Sequence, residues 1–495
     1  MAIKEVLPPP VFKYDPSNML DLEGKIERWS DYDQIPKIEL KKVIIGEDAI
    51  LQLPAELRRL APGSNGEVIL VMDRTAMTRA GASLKPMVCD LLASQGFEVQ
   101  PVELEGDAEG VVHPDFHEVE FVKSRLRPGV PVAVLGSGVV TDITKHACFG
   151  FDQAHPDQPH LPAVFCMTAN SVPAYASRMA IITRDGVKRT WPSRLSDVII
   201  ADIKTLREAP LEYCLGGIGD MCAMFMAFAD WYIGEYFGMS GYLQGSWNVL
   251  EDVKALMFPY AGEIGQRTAL GMEVLAKCLT LGGLTMTYAR ESSPVSGYEH
   301  VVSHMLDMCA PHYGRRIANH GSQVAVAAIP ALIGLGWWLD TFDPKAVDVD
   351  HCYPSPERME PRVRQTFAEV DPSGAAGTEC WNDYRQKLAA WHGRRAQFEA
   401  FLADWPAQRA HIESLILRAE PLVKALCQAG HPLYFEELNF PVPEAQARWA
   451  YHNAHLMRKR FSSGDLFNFL GWLDQAWTDQ VFARMHELVD TARAA

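Results

Sequence analysis

The chain has 495 residues, 48% of them hydrophobic, and a formal net charge of −16; that length exceeds a single ordinary core, so two domains are expected. The acidic balance and the shortness of basic clusters such as Arg458-Lys459-Arg460 exclude a nucleic-acid footprint and point to a cytoplasmic protein. Ten cysteines occur singly, with no Cys-x-x-Cys pair, which favours buried reduced thiols over a disulfide framework or a cysteine metal site.

At the N-terminus, three consecutive prolines and the lack of a hydrophobic signal core make secretion an unlikely reading. No continuous apolar run reaches the roughly 20 residues of a membrane span, so no membrane role is expected. From about Ile38 to Leu206, short apolar runs at 68–72, 132–135, 163–166 and 198–201 each stop at a turn or polar residue. Such runs suit strands buried on both faces, and this half (1–209) reads as an α/β, doubly wound dinucleotide-binding domain.

Within it, the run 132–135 leads into Gly136-Ser137-Gly138, followed by Asp142 and Lys145 three residues apart. A glycine turn between strand and helix lets backbone N–H groups approach phosphate oxygens, and the helix start adds partial positive charge. Spacing puts Asp142 and Lys145 on one helical face, and all five residues are read as cofactor-binding. Asp73 ends the 68–72 run, where an acid can accept hydrogen bonds from ribose hydroxyls and repel a 2′-phosphate. A helix N-cap for Arg74 onward is the alternative reading of Asp73.

After Pro210 the texture turns helical, with 3.6-residue spacing over 263–288, 322–339 and 384–427. Residues 210–495 read as an all-helical metal-binding and substrate domain, with irregular loops over the Pro-, Asp- and Gly-rich 340–377. Gly219-Asp220, His300-x3-His304 and His320-Gly321 stand out. His300 and His304 share one helical face. An Asp and two His suit zinc or iron(II) and leave positions open for a substrate oxygen, which catalysis by a Lewis acid requires.

Taken in order, Gly136 to Lys145, Thr168-Ala169-Asn170-Ser171, Ala174-Tyr175-Ala176-Ser177, Gly219-Asp220, Ser296-Gly297-x-Glu299-His300, His304 and His320-Gly321 resemble one superfamily. It joins metal-dependent alcohol dehydrogenases, glycerol dehydrogenases and dehydroquinate synthases, and the likeness is greatest to the sn-glycerol-1-phosphate dehydrogenases. The resemblance implies a dehydroquinate synthase-like fold, with one divalent metal (zinc, with iron or nickel as alternatives) on Asp220, His300 and His320. It further implies NAD or NADP binding that involves Thr168 and Ser171, with Asp73 favouring NAD. His304 is implied to lie near the reacting groups, and a homo-oligomer is implied as the assembly. The implied chemistry is hydride transfer to a small polar carbonyl such as dihydroxyacetone phosphate. A cyclase that uses NAD transiently and a ligand-binding member without activity are the alternatives.

The chain departs from that pattern at Pro173, where the family carries a carboxylate, and at Val139, where a hydroxyl or lysine is usual. Proline has neither a polar side chain nor an N–H, so a less hydroxylated or more weakly bound substrate is expected. Arg178, Lys188 and Arg189 are candidates for holding an anionic substrate group.

Overall fold

The computed structural model describes Leu7 and residues 10–107, 110–184 and 187–494, without the side chains of 187 and 188. The chain forms two compact units, 1–218 with 244–291, and 219–243 with 292–495. The sequence places the boundary at 209/210, where strands give way to helices. The compact units divide later, at 218/219, and a helical segment after residue 243 returns to the first unit.

The first unit is built on a six-stranded parallel sheet. Its strands are β1 Lys42–Gly46, β2 Glu67–Asp73, β3 Glu98–Leu104, β4 Val132–Gly136, β5 Ala163–Met167 and β6 Val198–Asp202, in the order β1-β6-β5-β4-β2-β3. Every residue of β4, β5 and β6 is buried, which is why these strands read as unbroken apolar runs. The edge strands β1 and β3 bury only alternate or scattered positions, so they carry no such run. Helix α1, Gly138–Ala154, leaves directly from β4.

Helix α2, Leu211–Cys222, leads towards the second unit, which contains α3, Met224–Tyr236. Helix α4, Ala269–Ala289, belongs to the first unit. The second unit continues with α5, Tyr298–Cys309, and α6, His320–Thr341. It holds a helical core in which Trp338 packs on Trp405 with ring centroids 4.6 Å apart, and Trp391 stacks on Phe469 at 4.9 Å.

Two sequence expectations change here. The 340–377 stretch is not simply loop: it contains α7, Pro356–Ala368, started by Ser355 and by Pro356 at the first helical position. Ser355 and Pro356 cap its start, while Pro361 lies inside it. With residues 468–472, the segment lines a cavity of about 720 Å³. Likewise, Leu211–Tyr236, Ala269–Ala289 and His320–Thr341 are each long and apolar enough to cross a membrane by length and composition. Occasional polar residues hide this in a scan for unbroken runs. In each, 83% of the apolar window is buried in the fold, so their apolarity serves the core. All ten cysteines are free.

Candidate functional site

In the second unit, Asp220 comes from the last turn of α2, His300 from the first turn of α5, and His320 is the first residue of α6. Glycines bring them together. A Cβ on Gly219 would collide with the Gly321 carbonyl, so only glycine lets the Asp220 turn approach the start of α6 this closely. Asp220 Oδ1 lies 3.2 Å from His300 Nε2 and 3.8 Å from His320 Nε2.

The three donor atoms all fall within 4.8 Å of one another. Donors at ~2.1 Å from a common tetrahedral centre lie ~3.4 Å apart, so the cluster fits a divalent ion. Asp220 and His300 are buried and His320 is partly exposed, which leaves one side open.

Behind His300, Glu299 Oε1 accepts the Nδ1–H at 2.9 Å and also the Gly297 N–H at 2.7 Å. That bond selects the tautomer whose Nε2 faces Asp220. Glu299 is wholly buried, and Asp230 sits beside it, accepting the Tyr298 N–H at 2.6 Å and the Ser463 N–H at 2.7 Å. Burial, then the Glu299 charge, push the Asp230 carboxyl up to about 7. Burial opposes protonation of His300, yet the hydrogen bonds its ring donates to Asp220 and Glu299 outweigh it and push the imidazole up to about 9. His304, one turn along α5, has its ring 6.1 Å from that of His300 and 5.3 Å from that of His320.

In the first unit, the chain runs outward from β2 to β3 and the opposite way from β4 to β5. The carboxyl ends of adjacent β2 and β4 therefore flank the point where strand order reverses, the usual place for a nucleotide in such sheets. Asp73 ends β2 and Gly136 ends β4. Ser137 is half-buried at the start of α1 and Gly138 is its first residue, with its missing Cβ making room for Val172. Thr168, just beyond β5, donates its N–H to the Gly136 carbonyl, and its buried Oγ1 has no hydrogen-bond partner in the fold. Ser171 is buried nearby in sequence. An acid at a strand end, a glycine turn and an orphaned hydroxyl fit a dinucleotide.

Asp142 and Lys145 are placed differently from the sequence expectation. Lys145 is fully buried, and its Nζ donates to the carbonyls of Ala174 (2.6 Å), Ser177 (3.0 Å) and Met179 (2.8 Å) while pairing with Asp142 Oδ1 at 3.0 Å. Asp142 Oδ2 accepts the Ile181 N–H. With its donors spent on main chain, Lys145 pins the 174–181 segment to α1 and offers no free ammonium to a phosphate.

Asp73 caps a turn, with no helix following it. Its carboxylate accepts from the Thr75 N–H and hydroxyl, and it pairs with Lys85 Nζ at 2.8 Å. Lys85 lies 12 residues away on another element, so no local signal marks it. Pro173 is buried in a short 3₁₀ turn against Gly283 of α4. Arg178 pairs with Glu39 at 2.7 Å, Arg189 is exposed, and the Lys188 side chain lies outside the described residues. Glu299 and Asp230 were assigned no role from sequence. An acid directly preceding a ligand histidine was the available sign.

Comparison with known proteins finds relatives over most of the chain. Residues 44–210 match the family model described as iron-containing alcohol dehydrogenase. A glycerol-1-phosphate dehydrogenase [NAD(P)+] of Bacillus subtilis (strain 168) is 25% identical over 432 residues, covering 87% of this chain and 92% of that protein. Over those residues the chain is similar to iron-containing alcohol dehydrogenases, and over most of its length it is similar to a glycerol-1-phosphate dehydrogenase. Another relative, the glycerol-1-phosphate dehydrogenase [NAD(P)+] of Pyrococcus horikoshii, is 29% identical over 309 residues, covering 60% of this chain and 80% of that protein. A similar fold is seen in the crystal structure of a probable glycerol dehydrogenase from Sinorhizobium meliloti 1021, with a TM-score of 0.52 at 14% identity over 92% of this chain and 98% of that one. Glycerol dehydrogenase from Schizosaccharomyces pombe matches with a TM-score of 0.52 at 13% identity over 90% and 92%.

Proposed function

We propose that this chain is a metal-dependent dehydrogenase that transfers hydride between NAD(P)(H) and a small polar carbonyl or alcohol of the glycerol-1-phosphate and dihydroxyacetone phosphate class. The observation that carries the reading is the convergence of Asp220 Oδ1 with the Nε2 atoms of His300 and His320. Zinc is the proposed ion, with iron or nickel as the alternatives that the same donors accept. When bound, the ion polarises the substrate oxygen and the dinucleotide supplies or takes up the hydride.

The chain's own residues do the rest. Asp220, His300 and His320 fix the position of the substrate oxygen, and Glu299 holds the His300 ring in the tautomer that donates through Nε2. His304 stands within a ring's distance of both ligand histidines and exchanges the proton of the substrate oxygen, directly or through water. Asp73 takes the ribose hydroxyls, and the Gly136-Ser137-Gly138 turn takes the pyrophosphate at the start of α1. Lys85 beside Asp73 offsets part of its repulsion of a 2′-phosphate, so both NAD and NADP are accepted, with NAD preferred. The protein is proposed to act in the cytoplasm as a homo-oligomer.

The test is oxidation of NADH by zinc-loaded protein with dihydroxyacetone phosphate, followed by absorbance and repeated after chelation. Oxidation that chelation abolishes is the expected result. Protein that binds both metal and NADH but oxidises none contradicts the proposed substrate class.

A further inference from the structure

The proposed reaction needs an anion-binding group near the donor cluster. The arginine that sequence offers for it, Arg178, is already paired with Glu39. The connection between α5 and α6 supplies another. It joins the helix that carries His300 and His304 to the helix that begins at His320. Gly314 turns with φ +60, and the Arg315 N–H then donates to the Ala310 carbonyl at 2.9 Å, folding the chain back onto the end of α5.

The Arg315 guanidinium is unusual among the described residues. Its Nε and Nη2 are buried and have no hydrogen-bond partner. The Tyr313 ring lies 5.8 Å from its Cζ, and the groups acting on its charge are Cys309, Tyr313 and Asp307. Burial is the largest influence on it and works against its charge. The next residue, Arg316, stacks on Phe440 at 4.6 Å instead.

Asp307 ties this neighbourhood to the donor cluster. Its Oδ1 accepts from Gln323 Nε2 at 2.9 Å, one turn into α6 from His320, and its Oδ2 lies 4.0 Å from His304 Nδ1. Buried guanidinium donors without acceptors are costly and rare. A tetrahedral oxyanion offers paired acceptors that match the fork of an arginine.

We propose that Arg315 binds the phosphoryl group of the substrate, so that the carbonyl end addresses the Asp220, His300 and His320 cluster while the anionic end rests on the α5–α6 connection. The assignment rests on the reading of this unit as the substrate-binding one. Asp307, fixed by Gln323, carries like charge to the ligand and sets which side of the guanidinium the phosphoryl group can approach.

The experiment measures binding of inorganic phosphate to zinc-loaded wild type, Arg315→Ala and Arg315→Lys by calorimetry, with metal content, NADH affinity and melting temperature as controls. Because Arg315 makes no side-chain hydrogen bond in the fold, both variants are expected to keep those controls. Phosphate binding should weaken at least about tenfold in Arg315→Ala and less in Arg315→Lys. Wild type that binds no phosphate, or Arg315→Ala that binds it as wild type does, overturns the assignment.

Kinetics separate this from the wider reading. If dihydroxyacetone phosphate is reduced, its KM should rise at least about tenfold in Arg315→Ala, while that of unphosphorylated dihydroxyacetone stays unchanged. Loss of phosphate binding in a protein whose wild type reduces neither ketone would support Arg315 as the anion site and contradict the proposed reaction.

Discussion

The two units each bring acids and bases together, and put them to opposite uses. In α1, Asp142 and Lys145 turn inward and spend their hydrogen bonds on the main chain of 174–181. In the second unit, the carboxylate oxygen of Asp220 is faced by two imidazole nitrogens whose rings are set from behind or from the start of a helix. Spacing alone does not separate the two cases. What separates them is whether the polar atoms are saturated by backbone, as Lys145 is, or converge on one another, as the metal donors do.

The largest effect that would break this contrast lies at the donors. Asp220→Asn or His300→Ala should lower metal content to background and activity beyond the about 10–100-fold typical of outer-shell changes, read by elemental analysis and turnover. Either variant retaining metal and rate would remove the distinction between the units. Lys145→Met should act on the fold instead. It leaves Asp142 and three carbonyls without their cation and should cost about 3–5 kcal/mol in denaturant unfolding, whereas a selective loss of NADH affinity with unchanged stability would restore Lys145 to the phosphate site.

Smaller effects sharpen the account. Glu299→Gln should weaken metal affinity about 10–100-fold by loosening the His300 tautomer while the protein remains folded, measured by competition with a chelator. Asp73→Ala should shift preference towards NADPH about tenfold, about 1.4 kcal/mol, seen in the ratio of kcat/KM values. An unchanged ratio would leave Asp73 as a cap for Thr75 alone.

A separate effect concerns pH. Because the fold raises the Asp230 carboxyl from 3.8 to about 7, the folded state favours its neutral form. Its contribution to stability is therefore present at low pH and is lost as pH rises from 3.8 to about 7, then stays constant. Asp230→Asn should lower stability overall and flatten this part of the melting profile; an identical pH slope in both proteins would contradict the shared burial of Asp230 and Glu299.

Legibility followed physical cause. The buried strands β4, β5 and β6 announce themselves because burial on both faces demands unbroken apolar runs, while edge strands β1 and β3 do not. Asp220, His300 and His320 were legible from residue type together with family motifs. Their neighbouring glycines at 219 and 321 become intelligible once the close approach of α2 to α6 is seen. Lys85, Asp230 and Arg315 act through partners distant in sequence or through burial, which spacing does not encode. The α7 helix was masked by its own capping residues, Ser355 and Pro356.

X-ray absorption on the zinc-loaded protein addresses the central claim most directly. The account predicts a light-atom shell at about 2.0–2.2 Å containing scattering from two imidazoles and one carboxylate oxygen. A sulfur shell at about 2.3 Å, or a light-atom shell without scattering from two imidazoles, would contradict it.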